Sequence, residues 1–276
     1  MNRQHILPQI LLRSLPFPRG PGRIIDCFFS QLAFDVKVAS VRTTDGFTIK
    51  VLPNELIGRH IYLTGEFDRS TVEVLLKLSR PGDVLLDIGA NIGYVSACFL
   101  QKVPQSKAIA VEPQPQIVDL LRSNLEPFGK ERYNVFPVAL SDLDSSGWME
   151  ICDLNRGASK VVGKQNDYTV EIQLWSAQRL FASLKGERID LVKIDVEGHE
   201  ETILKACQDE LNRLRPRAIL FEDHTQSSAP DGSIGCIFRS IGYRVLGVKK
   251  HLTRLEFVPI STALDCVCNN YLALPV

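Results

Sequence analysis

The stretch VKIDVEGHEETIL, residues 192–204, gathers ionisable groups at the point where an apolar strand gives way to a helix. Lys193, Asp195 and Glu197 alternate with Val192, Ile194 and Val196, so in extended backbone the three polar side chains share one face. Gly198 lets the chain turn, Glu200 and Glu201 suit the positive end of the following helix, and His199 stands at the junction as a capping or packing residue. Two carboxylates at a strand end can orient a substrate hydroxyl and accept its proton, and mutual repulsion with partial burial raises their pKa toward that task. Asp195 and Glu197 are therefore the candidate pair, with Lys193 either neutralising one of them or buttressing the strand. Downstream, FEDHT adds Glu222, Asp223 and His224, of which His224 is a second candidate base.

A second cluster lies upstream. LLDIGANIGYVS places Asp87 at the end of an apolar run, with Gly89 and Gly93 in the turn after it. Residues without a Cβ let backbone turn sharply and approach a ligand, and the helix that follows presents unpaired N–H groups. The next apolar run ends at Glu112, about 20 residues beyond the glycine turn, the spacing at which an acid accepts hydrogen bonds from ribose hydroxyls. The dinucleotide pattern G-x-G-x-x-G is not met, because Asn91 stands where a second glycine would bare the backbone to a pyrophosphate. No G-x-x-x-x-G-K-[ST] loop for a nucleoside triphosphate is present either. Nicotinamide and flavin cofactors are thus disfavoured, whereas a sulfonium with an amino-acid tail suits an acid at Asp87 and a polar Asn91.

The elements that must position these residues follow from periodicity. VLLDIGA, AIAVEP, NVFPVALS, LVKID and RAILFED read as buried strands, separated by helical patterns such as YVSACFLQK, the run after Pro115, residues 200–211 and IGCIFRSI. Such alternation predicts a mostly parallel sheet covered on both faces. YRVLGV and DCVCNNYLAL close the chain as strands with no helix pattern between them, so one runs antiparallel, and Cys266 and Cys268 would share one strand face. Upstream, Asp45-Gly46 between two β-prone runs predicts a hairpin, and Ser70 with Glu73 predicts a capping box on the helix that follows. Residues 148–174 read as short alternating strands, a β insertion able to form a wall or lid over the sheet edge. The division is then an arm and hairpin over 1–66 and an α/β unit over 67–276.

Bulk properties narrow the partners. The 32 basic and 32 acidic residues balance, with no long basic run, which argues against nucleic acid. Seven scattered cysteines form neither a disulfide framework nor a zinc pattern, which points to a reducing cytoplasm. Residues 1–25 carry Arg3, Arg13, Arg19 and Arg23 with no acid, but their apolar part is too short and too broken to span a bilayer. This arm is expected to be loosely docked, with peripheral membrane contact left open. No compact metal-ligand motif is present, so no metal is expected, and exposed hairpin edges leave a homodimer open.

DVLLDIGANIGYVS, AVEPQP, VALSD and VKIDVEGHE, in this order, resemble the FkbM family of S-adenosylmethionine-dependent methyltransferases, as does TGEFD followed by a helix and PGD. The likeness covers residues 63–220. It implies a Rossmann-like class I methyltransferase fold, an α/β architecture with a mostly parallel seven-stranded sheet and helices on both faces. By the same likeness Asp87, Gly89, Ala90, Asn91 and Gly93 line the methionine end of S-adenosyl-L-methionine. Glu112, with Pro113 beside it, holds the ribose, residues from Ala139 through Ser141 to Asp142 lie near the adenine, and Glu66 faces the cofactor or the incoming substrate. QLWSAQRLF departs from the family's Leu-Asp pair before the fourth strand. The expected activity is O-methylation of a hydroxyl on a sugar, polysaccharide unit or other natural product, Asp195 and Glu197 orienting that hydroxyl and taking its proton. N- or carboxyl-methylation, a non-catalytic adenosyl-binding role and, more remotely, a dehydrogenase are the alternatives.

Overall fold

The computed structural model describes residues 9, 11–13, 24–29, 32–152 and 155–276. Most of the basic arm, and with it the expectation of loose docking or membrane contact, lies outside the described residues. The hairpin forms as predicted: β1 (Ala39–Arg42) and β2 (Thr48–Val51) pair antiparallel, with Arg42 opposite Thr48 and Gly46 at φ 94° in the turn. Helices α1 (Leu56–Thr64) and α2 (Arg69–Leu78) follow. The Ser70–Glu73 capping box is not the cap. Asp68, at φ 37°, starts the helix earlier, its carboxylate accepts the Thr71 N–H, and Ser70 is buried inside the first turn.

The strand–helix alternation then runs β3 (Val84–Ile88), α3 (Tyr94–Lys102), β4 (Lys107–Val111), α4 (Pro115–Leu125) and β5 (Tyr133–Phe136). A separate four-stranded sheet is built from β6 (Ala139–Ser141), β7 (Ser145–Glu150), β8 (Lys160–Val162) and β9 (Thr169–Ser176), in the order β6-β9-β7-β8. The chain returns through α5 (Ala177–Ser183), β10 (Leu191–Ile194), α6 (Glu200–Ala206), α7 (Gln208–Leu214), β11 (Ala218–Glu222) and α8 (Ser233–Ser240). It ends in β12 (Tyr243–Lys250), β13 (Leu255–Pro259) and β14 (Asn270–Pro275).

The main sheet has eight strands, not seven, in the order β13-β12-β14-β11-β10-β3-β4-β5. From β11 to β5 all neighbours are parallel, and β14 inserts antiparallel between β11 and β12. The added strand is β13, an edge strand paired only with β12. Three local expectations are corrected. NVFPVALS is two strands in two sheets, because Pro137 lacks the N–H that a ladder needs. The helix expected over 200–211 is two short helices meeting at Cys207. Cys266 and Cys268 precede β14 and do not share a strand face.

Period-two alternation sends successive residues of each central strand to opposite faces. Leu85, Leu191 and Leu220 join one core cluster with α3, α4 and the hairpin residues Ile49 and Val51. Leu86, Val192 and Phe221 join a second with Leu204 and Phe238 from the helices on the other side. No helix among the described residues is long and apolar enough to cross a membrane.

Candidate active site

The parallel strands β3 and β10 set Asp87 directly opposite Lys193. Asp87 is fully buried (0% exposed); its Oδ2 accepts the Ser96 hydroxyl at 2.7 Å and its Oδ1 lies 3.4 Å from Lys193 Nζ. The same ammonium donates to the Gly89 carbonyl at 2.6 Å and stands 3.4 Å from Asp195 Oδ2. Burial works against this charge, but Asp195, Asp87 and Asp68 outweigh it and hold the Lys193 pKa above its ordinary value. Lys193 therefore fastens the glycine turn to the carboxylate at the next strand end, and Asp87 is the foundation beneath it.

The glycines serve packing as well as approach. Gly89 has φ 77°, and a Cβ there would meet the Asp195 carbonyl oxygen at 1.8 Å, so the two strand ends touch backbone to backbone. Gly93, at φ 85°, lies under α4, where a Cβ would meet Leu121 at 2.5 Å. Between them Asn91 takes φ 48°, which turns its N–H onto Glu112 Oε2 at 3.0 Å. Glu112 Oε1 accepts the Gln114 N–H, also at 3.0 Å. Burial of this carboxylate outweighs both bonds and pushes its pKa up to about 7.

Glu112 faces a cavity of about 360 Å³. Ile88, Val111, Val138, Leu140 and Met149 give it an apolar side, to which Gly89, Ala90, Asn91, Pro113 and Ala139 also contribute. The β insertion supplies a wall through Asn155, Arg156, Ser159 and Val161. Gln114 ties that wall to the floor: its side chain donates to the Arg156 carbonyl at 2.9 Å and accepts the Ser159 hydroxyl at 3.4 Å. Sequence reasoning passed over Gln114, although it directly follows Glu112-Pro113.

Part of the cavity lining is acidic. Lys193, Asp195, Glu197, Glu222 and Asp68 belong to it, with Lys250 3.8 Å from Asp68. The extended face expected from 193 to 197 stops at Asp195, because β10 ends at Ile194 and Glu197 is left-handed at φ 54°. Glu200 fixes that turn: its carboxylate accepts the Val196 N–H at 3.0 Å and the Gly198 N–H at 2.9 Å, a role beyond its complement to the helix dipole. Burial, then Asp195 and Glu200, raise the Glu197 pKa. His199 also lines the cavity; its Nε2 is buried without a hydrogen-bond partner, and burial lowers its pKa.

Glu222 ends β11, with Oε1 accepting from Asn270 Nδ2 at 2.7 Å and Oε2 3.4 Å from His224 Nε2. Burial and the charge of Asp195 push its pKa to about 7. His224 is half exposed behind Glu222 and lies outside the cavity lining. Asp223 builds a turn, accepting the amides and hydroxyls of Thr225 and Ser228, and these bonds outweigh burial to lower its pKa. Glu66 also lies outside the lining, where it accepts the Thr44 hydroxyl at 3.5 Å; its neighbours Phe67 and Asp68 reach the cavity instead. Ser141 donates to Asp142 at 3.0 Å, and neither lines the cavity. Among the described residues no group of His, Cys, Asp and Glu is arranged to hold a metal ion.

A parallel run of strands with a glycine turn, a buried acid at the next strand tip and a cavity at its carboxyl edge is a Rossmann-like α/β fold. The model of the methyltransferase FkbM domain matches residues 87–245, and the chain belongs to that family. It is 30% identical over 165 residues to the hexuronic acid methyltransferase AglP of Haloferax volcanii, a match covering 60% of this chain and 65% of that one. It is 24% identical over 183 residues to the 2-O-methyltransferase NoeI of Sinorhizobium fredii, covering 59% of this chain and 71% of the relative. The solved structure of a methyltransferase FkbM from Methylobacillus flagellatus, 14% identical, covers 78% of this chain and 52% of its own with a TM-score of 0.42.

Proposed function

We propose that this chain transfers a methyl group from S-adenosylmethionine to a hydroxyl of a sugar, polysaccharide unit or related natural product. The observation that carries the reading is one cavity that brings the buried Glu112 and a set of apolar side chains together with the acids Asp195 and Glu197. The residues present fit the cofactor. Each Glu112 oxygen holds one backbone N–H and keeps a lone pair for a ribose hydroxyl. The apolar side chains suit an adenine, and the acids suit a cationic centre. When bound, S-adenosylmethionine supplies an electrophilic methyl on a positively charged sulfur.

The chain's own residues then do the rest. Glu112, Asn91 and Ala139 hold the nucleoside. Lys193 donates to the Gly89 carbonyl and pairs by charge with Asp87 and Asp195, each at 3.4 Å, so it positions Asp195 rather than exchanging protons. Asp195 and Glu197 orient the acceptor hydroxyl, and a carboxylate of the same rim receives its proton. Support for a saccharide acceptor comes from the hexuronic acid in the name of the first relative, and support for O-methylation from the 2-O-methyltransferase in the name of the second.

The test is a screen of neutral and uronic-acid oligosaccharides with labelled methyl donor, read by mass spectrometry. A methylated product whose new linkage resists mild base supports an ether and therefore O-methylation of a hydroxyl. A base-labile product would mean carboxyl methylation. Failure of the purified chain to bind S-adenosylmethionine at all would overturn the reading.

A further inference from the structure

We propose that Glu222 is the proton acceptor of the reaction, a carboxylate that balances the donor's positive charge before transfer and holds the acceptor's proton after it. This rests on the methyl-donor reading above.

Of the four rim carboxylates, Asp68 is committed to the cap of α2 and to Lys250 at 3.8 Å, and three compete for the role. Asp195 is committed to Lys193 at 3.4 Å. Glu197 sits in a left-handed turn beyond the end of β10. Glu222 instead stands at the last position of a central strand, cross-strand from Asn270, whose amide fixes one of its oxygens at 2.7 Å. Its side chain is 25% exposed, it lines the cavity, and among the described residues its ion-pair partner is a histidine rather than a lysine or arginine. The charged groups around it are Asp195, Asp68 and His224, with Lys193, Glu197 and Lys250 on the same rim. Two neighbouring acids favour its neutral form, and an incoming cation favours its ionised form. A group poised near neutrality is also the best general base at neutral pH.

The charges then balance through turnover. Oxygen forms its bond to the methyl carbon, the carbon–sulfur bond breaks with its electron pair going to sulfur, and the hydroxyl proton passes to Glu222. A cation beside a carboxylate becomes a neutral thioether beside a neutral acid. The spent cofactor therefore meets a protonated Glu222 and gains nothing from its charge.

The test needs no methyl acceptor. Calorimetric titration of the full chain at neutral pH, in phosphate and in Tris, gives the protons released on binding S-adenosylmethionine and on binding S-adenosylhomocysteine. Glu112 meets the same ribose in both ligands, so its contribution cancels in the difference. We expect the cationic ligand to release more, by about half a proton, since a group with a pKa near 7 is half protonated there. In Glu222→Gln, which keeps an oxygen for Asn270, the difference is lost while both ligands still bind. Equal release by the wild-type chain overturns the proposal without needing the variant. So does a difference that persists in Glu222→Gln or vanishes in Glu197→Gln instead. Absence of binding by either ligand to the wild-type chain overturns the methyl-donor reading itself.

Discussion

Glu112 shows how one buried carboxylate couples stability to pH. Its pKa and that of Glu222 rise to about 7, and burial also raises those of Glu55, Glu66 and Glu197. A carboxyl whose folded pKa lies above its unfolded value stabilises the fold when protonated. That contribution is complete below the unfolded pKa of 4.5 and is lost as pH rises through about 7. His199, with a lowered pKa, works in the opposite direction below pH 6.5, but it is one group against five. Asp223 loses its contribution only below its ordinary 3.8, outside this window. The ligand-free chain should therefore gain about 2–4 kcal/mol, several degrees in Tm, as pH falls from about 8 to about 5.5. A flat Tm profile by differential scanning fluorimetry would refute this. Glu112→Gln should flatten part of that slope and weaken S-adenosylmethionine binding on the order of 10–100-fold, as loss of hydrogen bonds to a charged acceptor does. Undiminished affinity by calorimetry would remove Glu112 from the ribose. The position of Glu112 was legible because spacing along the chain sets which strand tip it occupies. The environment of Glu222 was not, since Asn270 lies 48 residues away and only sheet order brings them together.

At the scale of elements, buried strands were the most legible feature, because a sheet covered on both faces demands uninterrupted apolar runs such as VLLDI. The errors fell where a local signal competes with a distant partner. Pro137 was read within one strand although it divides two, and β13 was missed because an edge strand half open to solvent carries a weak pattern. The glycine turn was read for ligand approach, whereas its tightest contact is with β10. Two alanine substitutions separate these ideas. Gly89→Ala combines a left-handed φ with a Cβ 1.8 Å from the Asp195 carbonyl oxygen and should cost about 3 kcal/mol or more. Gly198→Ala has a left-handed φ of 93° but nothing within 4 Å, and should cost only about 1–2 kcal/mol. Urea unfolding of the two variants checks the ranking; equal losses would mean that backbone conformation, not the close contact of Gly89 with the Asp195 carbonyl, sets the requirement for glycine.

Across the whole molecule, the hairpin is joined to the glycine-turn side of the sheet by a buried acid and by Asn124, which bonds both backbone groups of Lys50. Asp45 was read only as a turn former, yet its carboxylate accepts Arg69 Nη1 at 2.9 and 3.0 Å and the Tyr94 hydroxyl at 3.1 Å, with Lys102 at 3.9 Å. One side chain thus links the hairpin turn, α2 and α3, and α3 begins directly after the glycine turn. Ile49 and Val51 add apolar contact to the same face. The acid, not the apolar contact, should dominate the response to mutation, because Asp45 is buried and its loss takes the shared acceptor from the Tyr94 hydroxyl and the partly exposed Arg69. Asp45→Ala should destabilise the chain by about 2–3 kcal/mol, whereas Asp45→Asn, which keeps an acceptor oxygen for Tyr94, should lose less. Hydrogen exchange should quicken in β1, β2 and the first turn of α3 in the alanine variant, and S-adenosylmethionine affinity should fall with it, since the glycine turn loses its downstream anchor. A loss below about 1 kcal/mol, within the range of an exposed ion pair, would show that the apolar face and the Asn124–Lys50 bonds hold the hairpin without Asp45.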